Sequence, residues 1–232
     1  MDSQGNILVI DSHNHRIRRI THEGEVTTIA GSGAASFADV PGFNHPEGIV
    51  VDREGNIYVS DSGNNCIRKI TSDSFVTTLA GDGSTVATSF QDGTGTDTRF
   101  SRPLGIAVDG DGNLFVADTG NHRIRQVTPD GTETTVAGSG ARATTDGTGI
   151  AAAFHRPYGI AIDPEGNLIV TEYTSHRIRR IIAGLAPPLP PGLPQPEVPS
   201  STHFEENKIM LGGPTFADVE SVVKAVDDQA WW

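Results

Sequence analysis

One stretch of this chain recurs, and the recurrence limits the fold more than any other property. Residues 100–138 read FSRPLGIAVDGDGNLFVADTGNHRIRQVTPDGTETTVAG. Residues 43–81 restate them as FNHPEGIVVDREGNIYVSDSGNNCIRKITSDSFVTTLAG. A copy at 154–182 stops short, and a copy at 2–31 lacks the opening. The Gly-Asn pair marks the register at Asn6, Asn56, Asn113 and Asn167, in steps of 50, 57 and 54 residues. A unit of about 40 residues repeated in this way is a supersecondary element that buries its apolar face only by stacking on its neighbours.

Within the unit the pattern is that of short strands. Gly105-Ile-Ala-Val-Asp109 is an apolar, β-rich run ended by Asp-Gly-Asp-Gly-Asn, whose glycines supply positive φ and whose Asp and Asn side chains bond their own backbone. Leu114–Asp118 is a second strand, Arg123–Val127 a third with period-2 alternation, and Thr134–Ala137 a β-branched fourth. Four antiparallel strands with a turn every 8–12 residues make one propeller blade.

Four motifs recur: Pro-x-Gly-Ile-x-x-Asp, Gly-Asn-hydrophobic-x-Val-x-Asp, Asn-His-Arg-Ile-Arg and Val-Thr-Thr-x-Ala-Gly. They resemble the blades of NHL β-propellers over residues 2–182. The resemblance implies an all-β, NHL-type propeller, and such rings commonly hold six blades. The copies here supply three, four, four and three strands, 14 in about four blades. An open arc leaves sheet edges that invite pairing, so the expectation is an incomplete propeller, or one completed by another chain or by the tail. The domain reading is a propeller over 1–184, with a partial blade at 1–31, blades at 43–81 and 100–138, and a partial blade at 154–182. A proline-rich linker follows at 185–214, then an amphipathic terminal helix at 215–232.

Charge narrows the partners. The formal net charge is −12, with −5 in residues 185–232 and −7 in the repeats. Nucleic-acid binding needs clustered Lys and Arg, so no nucleic-acid partner is expected, although some NHL proteins bind RNA through a basic face. No apolar stretch reaches the ~20 residues that cross a bilayer as a helix, and no signal-peptide pattern opens the chain. Met1 falls mid-repeat, so localisation stays open. Cys66 is the single cysteine and replaces the residue aligned with Arg16, Arg123 and Arg177.

Polar residues that repeat read as architecture. Asp11, Asp61, Asp118 and Glu172 align, as do Arg18, Arg68, Arg125 and Arg179, which predicts one blade-stabilising ion pair or turn bond per blade. His15, His122 and His176 also align and are read as structural. Catalysis needs different residues in different roles, and the candidates outside the repeat are His45 and His155, before the innermost strands. Two histidines without a nearby acid cluster make a thin zinc case, so no cofactor or metal is assigned. The loops Ser32–Gly42, Asp82–Arg99 and Ser139–Ala153 are rich in Gly, Ser, Thr and Asp. The segments Asp92-Gly-Thr-Gly and Asp146-Gly-Thr-Gly echo each other without EF-hand spacing and read as solvated loops.

The tail changes character. Residues 186–199, APPLPPGLPQPEVP, should be extended polyproline II. Phe216, Val219, Val223, Val226 and Ala230 then form one apolar stripe on a helix. A lone helix of this length is marginal in water, so Phe216, Val219, Val223 and Val226, with Trp231 and Trp232, are the expected partner-binding residues. Two functions follow. The first is a non-enzymatic scaffold, a subunit that binds other protein subunits through propeller faces, open edges and tail. The second is a propeller enzyme with a channel-mouth metal, resembling the peptidyl-amidating lyase domain or a lactonase.

Overall fold

In a computed structural model, residues 1–37, 42–84 and 90–186 are described. The linker and terminal helix expected beyond Ala186 lie outside these residues. The described chain is all-β, in four antiparallel sheets. The first holds β1 (Ile7–Asp11), β2 (Arg16–Ile20) and β3 (Val26–Ala30). The second holds β4 (Pro46–Val51), β5 (Ile57–Asp61), β6 (Cys66–Ile70) and β7 (Val76–Ala80). The third holds β9 (Pro103–Val108), β10 (Leu114–Asp118), β11 (Arg123–Val127) and β12 (Thr132–Ala137), plus a two-residue strand β8 (Gly93–Thr94) on its outer edge. The fourth holds β13 (Pro157–Ile162), β14 (Leu168–Glu172) and β15 (Arg177–Ile181).

Strand β8 raises the expected 14 strands to 15. The loop before blade three is not merely solvated: Gly93 and Thr94 pair with Glu133 and Thr132 of β12. The echoing loop at 146–149 forms no such strand, and the first and fourth sheets lack a fourth strand, as their sequences predict. The four sheets form no closed ring, so the described architecture is an incomplete propeller.

Two repeated devices explain the Gly-Asn and Pro-x-Gly motifs. In the turn that leads into the Gly-Asn strand of each repeat, an Asp gathers the backbone. Asp109 Oδ1 accepts from the Asn113 and Asp111 amides at 2.8 and 2.9 Å, and Asp109 Oδ2 accepts from the Asn113 side-chain amide at 2.9 Å. Asp2–Asn6, Asp52–Asn56 and Asp163–Asn167 repeat this arrangement. The glycine between them has φ near +80° in all four turns, a region that L side chains avoid. The second device is close approach of inner strands. A Cβ on Gly48 would lie 2.2 Å from the Leu104 carbonyl oxygen, and one on Gly105 would lie 2.4 Å from that of Tyr158. Inner strands β4, β9 and β13 therefore sit backbone to backbone, which only glycine permits.

The core lies between sheets rather than within one. Ile17, Phe43, Ile57 and Val59 fill the first junction. Tyr58, Ile67, Phe100, Leu114 and Val116 fill the second, and Phe115, Ala117, Ile124, Phe154, Leu168 and Val170 the third. The chain leaving β15 stays with this body. Leu185 donates to Gly166 O and packs on the third cluster, and Gly110 donates to Ala186 O. The first two residues assigned to the linker thus belong to the packed unit.

Candidate functional site at the blade junctions

The aligned acid–arginine pairs form in blades one, three and four, and they do more than close one blade. Arg125 Nη1 donates to Asp118 at 3.2 Å with both side chains fully buried. Arg179 pairs with Glu172 at 2.9 Å, and Arg18 with Asp11 at 3.5 Å. The same arginine also tethers the loop that enters its blade: Arg125 reaches Asp92, and Arg179 reaches Asp146. These are the leading residues of the two echoing Asp-Gly-Thr-Gly segments, so the echo is a docking device. In blade two Arg68 holds its entering loop differently, donating to the Phe37 carbonyl at 3.3 Å and lying 5.5 Å from the Phe37 ring centroid. Arg125 and Arg179 stack in turn near Phe100 and Phe154.

Blade three adds a group that the sequence reading passed over. Glu133 is buried at the position that holds Val26 and Val76 in the sister blades. Arg125 Nη2 stands 2.8 Å from Glu133 Oε1, with both side chains fully buried. Burial pushes the Glu133 carboxyl up to about 8, against the pull of Arg125 and with Asp118 and Asp92 adding to the rise. Burial likewise lifts Asp118 and Asp61 to about 6. Desolvation outweighs the guanidinium at each, because removing charge from water costs more than one partner returns. An acid in a valine slot of Val-Thr-Thr was the available signal.

Two of the aligned histidines, His15 and His122, join blades, whereas His176 is exposed on the last one. After each 3-10 turn at 12–14, 62–64 and 119–121, the next residue is left-handed: His15, Asn65 and His122. His15 Nδ1 accepts from the His45 amide at 3.1 Å, Asn65 Oδ1 from the Arg102 amide at 2.6 Å, and His122 Nδ1 from the Arg156 amide at 3.1 Å. One such bond crosses each junction. Thr119 Oγ1 donates to the Pro157 carbonyl at 2.6 Å, and Ser62 makes the same bond to Pro103. Burial lowers the pKa of His15 and of His122, which suits rings that accept at Nδ1.

The two histidines outside the repeat occupy different positions within it. His45 aligns with Arg102 and Arg156, whereas His155 aligns with Asn44 and Ser101. The His45 ring lies 4.7 Å from that of His15 and 5.6 Å from that of His13, while His155 lies 5.8 Å from His122. They stand at separate junctions, and no trio of His, Cys, Asp or Glu with metal-binding spacing occurs among the described residues. Cys66 is buried with its sulfur 3.9 Å from Asp61. The stripe from Phe216 to Trp232 lies outside the described residues.

The NHL repeat model matches residues 43–70, 100–127 and 154–181, each beginning at the phenylalanine that opens a blade. These three segments carry the NHL repeat pattern. NHL repeat-containing protein 2 of Bos taurus is 36% identical over 92 residues, covering 38% of this chain and 13% of that protein. A structural-genomics protein of unknown function from Bacteroides thetaiotaomicron is 30% identical with a TM-score of 0.62, over 75% of this chain and 43% of that one. The virginiamycin B lyase of Staphylococcus aureus is 19% identical with a TM-score of 0.51, over 78% of this chain and 53% of the lyase, a likeness of fold alone. The chain spans about half or less of the length of each of these proteins.

Proposed function

We propose that this chain is a protein-interaction module whose end blades seat further protein, as a subunit of a larger assembly. One observation carries the reading. Ile17, Ile67 and Ile124 occupy one repeat position and are 0% exposed, whereas Ile178 at the same position of blade four is 59% exposed. The opposite end mirrors this: Ile7 is 52% exposed where Leu114 and Leu168 are 1% and 0%. Tyr158 and Tyr173, 5.9 Å apart, extend the bare face of blade four. Interior blades cover these faces with a neighbouring sheet, and a bare apolar face of this kind marks an interaction surface. The repeated polar groups support the same reading, because they are spent on joining blades. The stripe of Phe216, Val219, Val223 and Val226, with Trp231 and Trp232, would act as a second anchor.

Light scattering on the purified full chain tests this. The wild type should run larger than one chain, and Ile7→Asp with Ile178→Asp should return it to a monomer with unchanged circular dichroism. A wild type that is an inert monomer at tens of micromolar would overturn the reading. Stoichiometric zinc or calcium in the purified chain would favour the metal-dependent enzyme instead.

A further inference from the structure

A strained position at the start of each inner strand carries a positive or titratable side chain. His45, Arg102 and Arg156 immediately precede Pro46, Pro103 and Pro157, and their φ angles are 48°, 51° and 57°. The left-handed region crowds the Cβ of any residue other than glycine. Each backbone is held there by the amide bond it gives to the preceding blade. The bond needs only a backbone N–H, so it explains the conformation and leaves the side chains without a role. Strain of this kind concentrates where a side chain is used.

The inner strands bring these groups together. The close approach of Gly105 to the Tyr158 carbonyl lies three residues after Arg102 and two after Arg156, so the two arginines head adjacent strands in backbone contact. Both are exposed, and neither makes an ion pair among the described residues. His155 follows on the same rim, 5.8 Å from the buried His122 ring. The loop after β12 adds Arg142, exposed and without an ion pair, two residues beyond Gly140, which packs on the Arg123 guanidinium. Arg123 itself is engaged by the Ser139 and Asn121 carbonyls and by the Phe90 ring. The carboxylates of this region, Asp118, Asp92 and Glu133, are gathered on Arg125. His45 heads the third strand beside the exposed Glu47, which places the cationic centre at Arg102 and Arg156.

We infer that the rim where β9 and β13 begin binds a small oxyanion, the carboxylate or phosphate of an organic ligand, held by Arg102 and Arg156 with Arg142 and His155 beside them. Guanidinium groups match both anions in fork geometry. An acidic body with a cationic rim also concentrates an anionic ligand there rather than over its whole surface. The site is separate from the end faces that carry the interaction reading, so either can fail alone.

Titration calorimetry of the full chain at low salt, with inorganic phosphate in one arm and citrate in the other, tests it. At least one probe should bind saturably with Kd below about 1 mM. Arg102→Gln with Arg156→Gln should weaken that binding by at least about tenfold, since each charge-assisted bond is worth more than a neutral one. Arg53→Gln, in the turn between β4 and β5, should leave it unchanged. Binding should weaken as salt is raised. Response to citrate alone would assign a carboxylate site, and to phosphate alone a phosphate site. No saturable heat with either probe up to about 10 mM, or equal affinity in the double variant, would overturn the inference. Unchanged thermal unfolding of the double variant would show that the loss is local.

Discussion

Blade three and blade four carry almost the same residues and bury them differently. Ile124 and Ile178 share one repeat position, yet one is sealed and the other open to water. Ala117 is buried where Thr171 is exposed, and Leu104 is buried where Tyr158 is not. Among the described residues, blade three has a sheet on both sides, and blade four has one on a single side. A blade's face is therefore made a core by its neighbour and not by its own sequence, as expected of a repeat stabilised through nearest-neighbour interfaces.

The arginines give the strongest way to break this comparison. Arg125 is fully buried among Asp118, Asp92 and Glu133, whereas Arg18 of the end blade pairs with Asp11 in a half-open setting. Arg125→Ala should cost roughly 3–5 kcal/mol because it strands buried acids. Arg18→Ala should cost about 1 kcal/mol or less, as an exposed pair does. Denaturant unfolding measures both, and equal losses would mean that interior and end blades are not distinct. The isoleucines come next. Ile124→Ala should lose about 2–5 kcal/mol by leaving a cavity, and Ile178→Ala under about 1 kcal/mol in the unassociated chain. A large loss at Ile178 would show that its face is already covered.

A pH dependence above about pH 6 separates blade three from the others. The folded-state pKa of Glu133, about 8, lies above the value near 4.3 of a free glutamate, so the folded state binds this proton more tightly. Its contribution is complete below about pH 4 and is lost as pH rises through 8. Asp61 and Asp118 act in the same direction up to about 6. Unfolding free energy should therefore fall between about pH 4 and pH 8. Glu133→Gln should flatten the part above about pH 6, and Glu133→Val, which restores the residue of the sister blades, should flatten it equally. A wild type with no slope above pH 6 would contradict the raised carboxyl.

Much of the architecture was legible because it repeats. The turn at Asp109–Asn113, the pair Asp118–Arg125 and the strand registers recur at fixed offsets, and local chemistry suffices for them. The roles of Asp92 and Asp146 were not legible. They look like solvated loop residues, and their arginines lie 33 residues downstream. His15 and His122 were recognisable as structural, but not as acceptors from the next blade, since that bond needs the register between two sheets. Glu133 could have been flagged as an acid in a valine slot, although the burial that makes it notable is a property of the packed blade. His45 and His155 resembled each other as unpaired histidines, and alignment within the blade separates them.

By itself the amino-acid sequence determined the blades: their strands, their turns and the glycines at which chain must approach chain. Those are short-range matters of backbone preference and periodic spacing. Tertiary structure alone decided which equivalent residues became interior, which loops were pinned, and that Arg102 and Arg156 stand at the heads of adjacent strands. Burial and juxtaposition depend on what lies across a gap, and a repeated motif carries no record of whether it has a neighbour.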